Sequence, residues 1–211
     1  MPMALYDIYG PGLYIEDPQD DRNFHSQARI SLNILRSRPV GVALLKAIAA
    51  AATDKKQCII EKSATANAVP TKDISEGFRT RLKEPGNGIL VDDAYPLTVN
   101  GGCGGIARWN PSNKIPGTEI ERPSFISLAH ELIHCLHFMM GDCARQPTRQ
   151  FDLNKDSGLV EEEARTVGIG VYDYPTKSLG PCENEFRAAF GLGKRTEYAP
   201  GITLAVAKRT R

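Results

Sequence analysis

The stretch that decides the fold is PSFISLAHELIHCLHFMMG, Pro123 to Gly141. Proline at the entry, glycine just past the end and helix-forming residues between them predict a helix over 123–140. Inside it, His130-Glu131-Leu132-Ile133-His134 matches H-E-x-x-H. Residues i and i+4 share one helix face, so both imidazoles can reach a single Zn²⁺ at about 2 Å. Glu131 is turned about 100° around the axis, beside such an ion without ligating it. Metal-assisted hydrolysis needs that division of labour. Two neutral nitrogens hold the ion, and a carboxylate takes a proton from water. The expectation is one zinc per chain on His130 and His134, with Glu131 as general base.

Two neighbours on this helix carry the same atom types. His137 lies about 10.5 Å along the axis from His130, too far to share its ion, and reads as a packing residue or one that backs a ligand. Cys135 is rotated off the face and reads as buried. An open catalytic site needs a third protein ligand. The nearest acidic cluster downstream is Glu161-Glu162-Glu163, 27 to 29 residues after His134. Three consecutive carboxylates on a helix point three ways, so one at most faces the metal. Spacing alone does not choose between them, nor between a ligand and a solvated acidic turn favoured by the helix dipole.

Working outward, 211 residues with 41% hydrophobic content suit a single domain over 1–211. Twenty-six Lys+Arg against 25 Asp+Glu give a net charge of +1, which argues against broad nucleic-acid or anionic-membrane binding. The longest apolar stretch, 42–52, is interrupted by Lys46 and is too short to span a membrane. The first residues do not read as a Sec-type signal peptide. Five scattered cysteines fit reduced thiols better than a disulfide framework.

The remaining pattern is α+β, helices dominating around a small sheet. A hairpin is expected around Gly10-Pro11-Gly12, with helices over 20–36, from Pro39 to 52, over 158–170 and over 183–190. Strands are expected at 58–61, 88–91 and 106–109, and 63–87 reads as loop. The 106–109 strand is assigned to the sheet edge, where an extended substrate could pair.

Taken together, HELIHCLH at 130–137, Ser157-Gly158-Leu159 and Glu162-Glu163-Ala164-Arg165-Thr166 resemble the active-site region of clostridial neurotoxin light chains, zinc endopeptidases of the HExxH…E class. In size and in SLAHELIH the chain is similar to the NleD-like type III effector metallopeptidases and their plant-pathogen relatives. The resemblance covers roughly 111–200 and implies a zincin-like fold. It places the third ligand at Glu163, with Glu162 as the fallback, and makes Glu183 the glutamate that orients a zinc-bound histidine. It assigns Arg195 and Tyr198 to stabilising the tetrahedral intermediate, with Glu183 and Arg195 twelve residues apart as in the toxins. It further implies delivery by a bacterial type III system into the host cytoplasm and a host protein substrate, signalling kinases being one class. The chain is about half a toxin light chain in length and lacks its long substrate-wrapping segments, which makes synaptic SNARE proteins poor candidates. Two alternatives stay open: a non-catalytic module with structural zinc, and a zinc hydrolase of a non-protein amide.

Overall fold

The computed structural model describes residues 4–5, 9–16, 21–54, 56–64, 67–70, 102–112, 123–142, 157–177 and 180–196. Strands β1 (Ala4–Leu5) and β2 (Leu13–Glu16) form the expected hairpin, paired antiparallel with Ala4 opposite Ile15. Helices α1 (Arg22–Arg36) and α2 (Pro39–Ala51) follow. Asp21 starts α1 by accepting the backbone N–H groups of Asn23 and Phe24 on its side chain, and Pro39 opens α2 where no N–H is needed. Then come β3 (Cys58–Lys62), β4 (Asn67–Pro70), β5 (Gly105–Trp109), and helices α3 (Ser124–Met140), α4 (Ser157–Val167) and α5 (Glu183–Ala189).

The five strands form one mixed sheet in the order β1-β2-β3-β5-β4. β2, β3 and β5 run parallel, with Cys58 paired to both Leu13 and Gly105. β4 closes the far side antiparallel, Asn67 opposite Arg108 and Pro70 opposite Gly105. This corrects two expectations. Part of the 63–87 loop is a strand, and β5 is interior, with both edges already paired. Pro70 reads as a breaker, yet proline is tolerated on an outer strand, where its missing N–H costs no ladder bond. The strand expected at 88–91 lies outside the described residues.

α3 is buried nearly all round, with apolar residues on every side of it and its histidines and Glu131 buried among them. Three contacts fix it on the sheet. Gly105 lets the helix approach so closely that an added Cβ would lie 2.7 Å from Cys135 Sγ and 2.9 Å from its Cα. The fully buried Trp109 donates its indole N–H to the Ser124 carbonyl at 2.9 Å, holding the start of the helix. Cys103 donates its backbone N–H to Phe138 O at 2.9 Å near the other end. Gly141 then stops the helix in the left-handed conformation (φ 66°), with Asp142 N returning to His137 O at 3.0 Å. Arg165 of α4 pairs with Asp142 (Nη2 to Oδ2, 2.7 Å), tying α4 to the end of α3. Leu32, Leu44, Ile60, Ala107, Leu132 and Phe186 all belong to one core, which α1, α2, the sheet, α3 and α5 share. Cys58, Cys103, Cys135 and Cys182 are buried free thiols. Burial raises Cys135 well above the usual thiol range, so it stays protonated.

Candidate metal centre

His130, Glu131 and His134 are all buried on α3. Buried polar side chains persist only when they have partners, and for the two histidines α4 and α5 supply them. His130 Nε2 and His134 Nε2 lie 3.2 Å apart. Glu163, from α4, meets both: Oε2 is 3.1 Å from His130 Nε2 and Oε1 is 3.3 Å from His134 Nε2. Ligands about 2.05 Å from a tetrahedral ion are separated by about 3.3 Å, so these three spacings fit one Zn²⁺.

The opposite ring nitrogens meet carboxylates. His130 Nδ1 donates to Glu183 Oε2 at 2.9 Å, and His134 Nδ1 lies 3.2 Å from Glu162 Oε1. In the neutral tautomer that keeps hydrogen on both Nδ1 atoms, both Nε2 atoms turn lone pairs to each other and to an anionic Glu163. That convergence calls for positive charge between the atoms, a metal ion or, in its place, a proton on His134. The donor set, two imidazoles and one carboxylate, is the one that suits a catalytic zinc site.

The electrostatics point the same way. Burial works against ionised Glu163, but His134 and His130 outweigh it and hold the carboxyl far below its ordinary range. Glu162 behaves likewise, burial being overcome by His137 and His134. Burial would lower His134, but Glu163 and then Glu162 raise it well above the usual histidine value. The pocket favours positive charge.

Each histidine is backed by its own carboxylate, and each carboxylate by further donors. Glu183, fully buried at the start of α5, accepts Arg187 Nη1 at 3.3 Å on Oε1 and Arg195 Nη1 at 2.8 Å on Oε2. Arg187 also donates from Nε to Gly193 O at 2.6 Å. Asn184 clasps the Arg195 backbone, donating to its carbonyl and accepting its N–H, each at 2.8 Å. Behind His134, Glu162 Oε1 accepts His137 Nδ1 at 2.5 Å and Thr166 Oγ1 at 3.4 Å.

Of the residues singled out from the sequence, His130, His134 and Glu163 converge on one point, with Glu183 behind His130. Glu162, the fallback ligand, lies behind His134, and His137 lies on Glu162. Glu131 is buried one position along from His130. Arg195 is described through its pairing with Glu183, and Tyr198 falls outside the described residues. Arg187 and Asn184 escaped the sequence reading, and Thr166 entered it only within the resemblance motif, without a role. The spacing of Glu183 to Arg187 and of Glu162 to Thr166, four residues in each case, is the signal that could have found two of them.

The peptidase M91 family, described as an effector protein family, matches residues 14–198. No curated protein matches. Among solved structures, the chain is similar to the Clostridium botulinum neurotoxin serotype F light chain. Identity is 14% over 74% of this chain and 54% of that one, with a TM-score of 0.46. The chain thus spans about half the length of that light chain, and the likeness is too loose to carry residue roles across. The family match runs from β2 through the H-E-x-x-H helix and past Arg195, and on that extent the chain belongs to the peptidase M91 effector-protein family, the metallopeptidases whose chemistry its histidine–carboxylate centre fits.

Proposed function

We propose that the protein is a zinc-dependent endopeptidase that acts as a bacterial effector on a protein of the host cell, delivered there by type III secretion. The observation that carries the catalytic part is the mutual spacing of His130 Nε2, His134 Nε2 and a Glu163 carboxylate, 3.1 to 3.3 Å, with both Nδ1 atoms committed to other carboxylates. Zinc held there supplies Lewis acidity, lowering the pKa of a water towards neutrality and polarising a peptide carbonyl.

The chain's own residues do the rest. Glu183 and Glu162 fix the rings of His130 and His134 through their Nδ1 atoms, and an ion held at the two Nε2 atoms would keep both rings from protonating there. Glu131, the carboxylate of the motif that the ligand cluster leaves over, accepts the proton of the attacking water and returns it to the departing amine. Arg195 and Tyr198 are assigned to the developing oxyanion. Arg195 is tied to the centre through Glu183, which also anchors His130. No helix among the described residues is long and apolar enough to cross a membrane. With β5 paired on both sides, an extended substrate adding to the sheet would have to meet a different strand.

Mass spectrometry of host-cell proteins exposed to the wild-type chain and to Glu131→Gln tests this reading. New termini that appear only with the wild type are expected. Their absence, with zinc bound to both chains, would turn the reading towards a non-protein amide or a non-catalytic role.

A further inference from the structure

We propose that His137, acting through Glu162, is a positioning residue for the zinc ligand His134. The proposal rests on the metal-centre reading above. A second group of metal-ligating atoms, on His134, His137 and Glu162, lies entirely within 4.8 Å and is wholly buried. Two features make it a hydrogen-bonded chain and not a second ion site. His137 Nδ1 is 2.5 Å from Glu162 Oε1, a hydrogen-bond length well short of the roughly 3.3 Å that separates two ligands of one tetrahedral ion. A second ion would also need a bare His134 Nδ1. With Nε2 already turned to the first site, that would make the ring a doubly coordinated imidazolate.

As hydrogen bonds, the contacts are consistent. Glu162 Oε1 collects His137 Nδ1–H at 2.5 Å, His134 Nδ1–H at 3.2 Å and the Thr166 hydroxyl at 3.4 Å. The ring of His134 is held by a carboxylate that is itself held. His137 and Thr166 do for Glu162 what the two arginines do for Glu183, with an imidazole and a hydroxyl in place of guanidinium groups. His137 is three residues from His134 on the same helix, so its ring has fixed scaffolding from which to aim the Glu162 oxygen. Burying an imidazole and a carboxylate in a core of this kind is costly unless each bond is made. Outer contacts of this type typically change metal affinity 10- to 100-fold when lost.

The test uses the full-length chain, with zinc affinity measured against a competing chelator and the cobalt(II)-substituted absorption spectrum as a second readout. His137→Phe keeps the ring and removes the donor. It is expected to weaken zinc binding about 10- to 100-fold and to shift the cobalt bands. His137→Asn keeps an N–H near the Nδ1 position while losing volume, and is expected to stay within about threefold of wild type. A purely structural role predicts the opposite order, since the asparagine leaves the larger cavity. That order, or equal affinity and spectra in all three proteins, overturns the proposal. Glu162→Gln provides an arm independent of any packing fault at 137. Its loss and that of His137→Phe should fall well short of additive, because both break one chain. Additive losses overturn the proposal, as does a second zinc equivalent in the wild type that His137→Phe removes. If the wild type binds no zinc that His134→Ala abolishes, the metal-centre reading itself fails. Zinc binding that is intact in every His137 variant sinks only the positioning role.

Discussion

Arg195 places its guanidinium Nη1 2.8 Å from Glu183 Oε2, joining the segment after α5 to a carboxylate with no solvent exposure. Removing the arginine leaves Glu183 with Arg187 as its charged partner. Arg195→Ala should therefore cost about 1–3 kcal/mol of stability as a buried charge loses a donor. Turnover should also fall about 10²-fold if the residue meets the oxyanion. Arg195→Lys should recover part of the stability and little of the rate, since an ammonium lacks the planar fork. Thermal unfolding and steady-state kinetics on the two variants separate these effects. A full-rate Arg195→Ala enzyme would leave the residue a structural role alone.

The ligand set predicts an order of zinc loss. His134→Ala and Glu163→Gln each remove an atom of the proposed ligand set, so metal analysis should find them largely empty under conditions that leave the wild type near one equivalent. Glu162→Gln removes charge behind His134 and should lose less. Should Glu162→Gln prove emptier than Glu163→Gln, the two glutamates have exchanged roles.

Glu131→Gln preserves shape and removes the proposed base. Zinc content should match the wild type while peptide hydrolysis drops by about 10²- to 10⁴-fold. Activity surviving alongside bound zinc would require another proton acceptor.

Gly105 is where β5 and α3 come closest, and an alanine methyl would press on the Cys135 sulfur and backbone. Gly105→Ala should destabilise the protein by about 1–3 kcal/mol through overpacking. Because Cys135 follows His134 directly, the variant should also bind zinc more weakly. Denaturant unfolding and chelator competition measure the two, and an unchanged midpoint would mean the helix shifts at no cost.

Asp21 caps α1 and its Oδ2 meets Lys62 Nζ at 2.6 Å. The bond to Lys62, followed by the Phe24 N–H, holds its carboxyl below the ordinary aspartate value. A depressed carboxyl contributes stability above the unfolded-state pKa of about 3.9 and loses it as pH falls through the folded value. Asp21→Asn retains an acceptor for the helix but not the charge. The variant should be the less stable protein near neutrality, and the two unfolding curves should converge in acid. A gap that persists unchanged at low pH would rule out the charge as its source.

The helix bearing the histidine pair was legible because its information is local. The 3.6-residue period, the entry proline, the exit glycine and the i, i+4 spacing all lie within 123–141. Choosing Glu163 over Glu162 was not legible from spacing, since helical phase is not carried across the residues between α3 and α4. Only the family resemblance chose between them. β4 went unseen because four residues bounded by asparagine and proline carry no periodic signal, and with it went the interior place of β5. Arg187 reads as an ordinary charged residue of a short helix. Only the tertiary fold reveals it as 1% exposed and facing Glu183. Thr166 and Asn184 are hidden for the same reason: hydrogen-bonding residues acquire a role from partners distant in sequence.

Glu162 and Glu163 are adjacent on α4, yet both are used, one on each side of the His134 ring. Adjacent positions point about 100° apart, so satisfying both fixes how α4 is rolled about its own axis, as two teeth fix a key. Rolling one way withdraws Glu163 from the histidine pair, and rolling the other way unseats Glu162 from His134 and His137. Residues gained or lost ahead of α4 would move the point where the helix begins without changing its roll. A single residue inserted between Glu163 and Thr166 would separate the teeth from the Thr166 hydroxyl that helps to seat them.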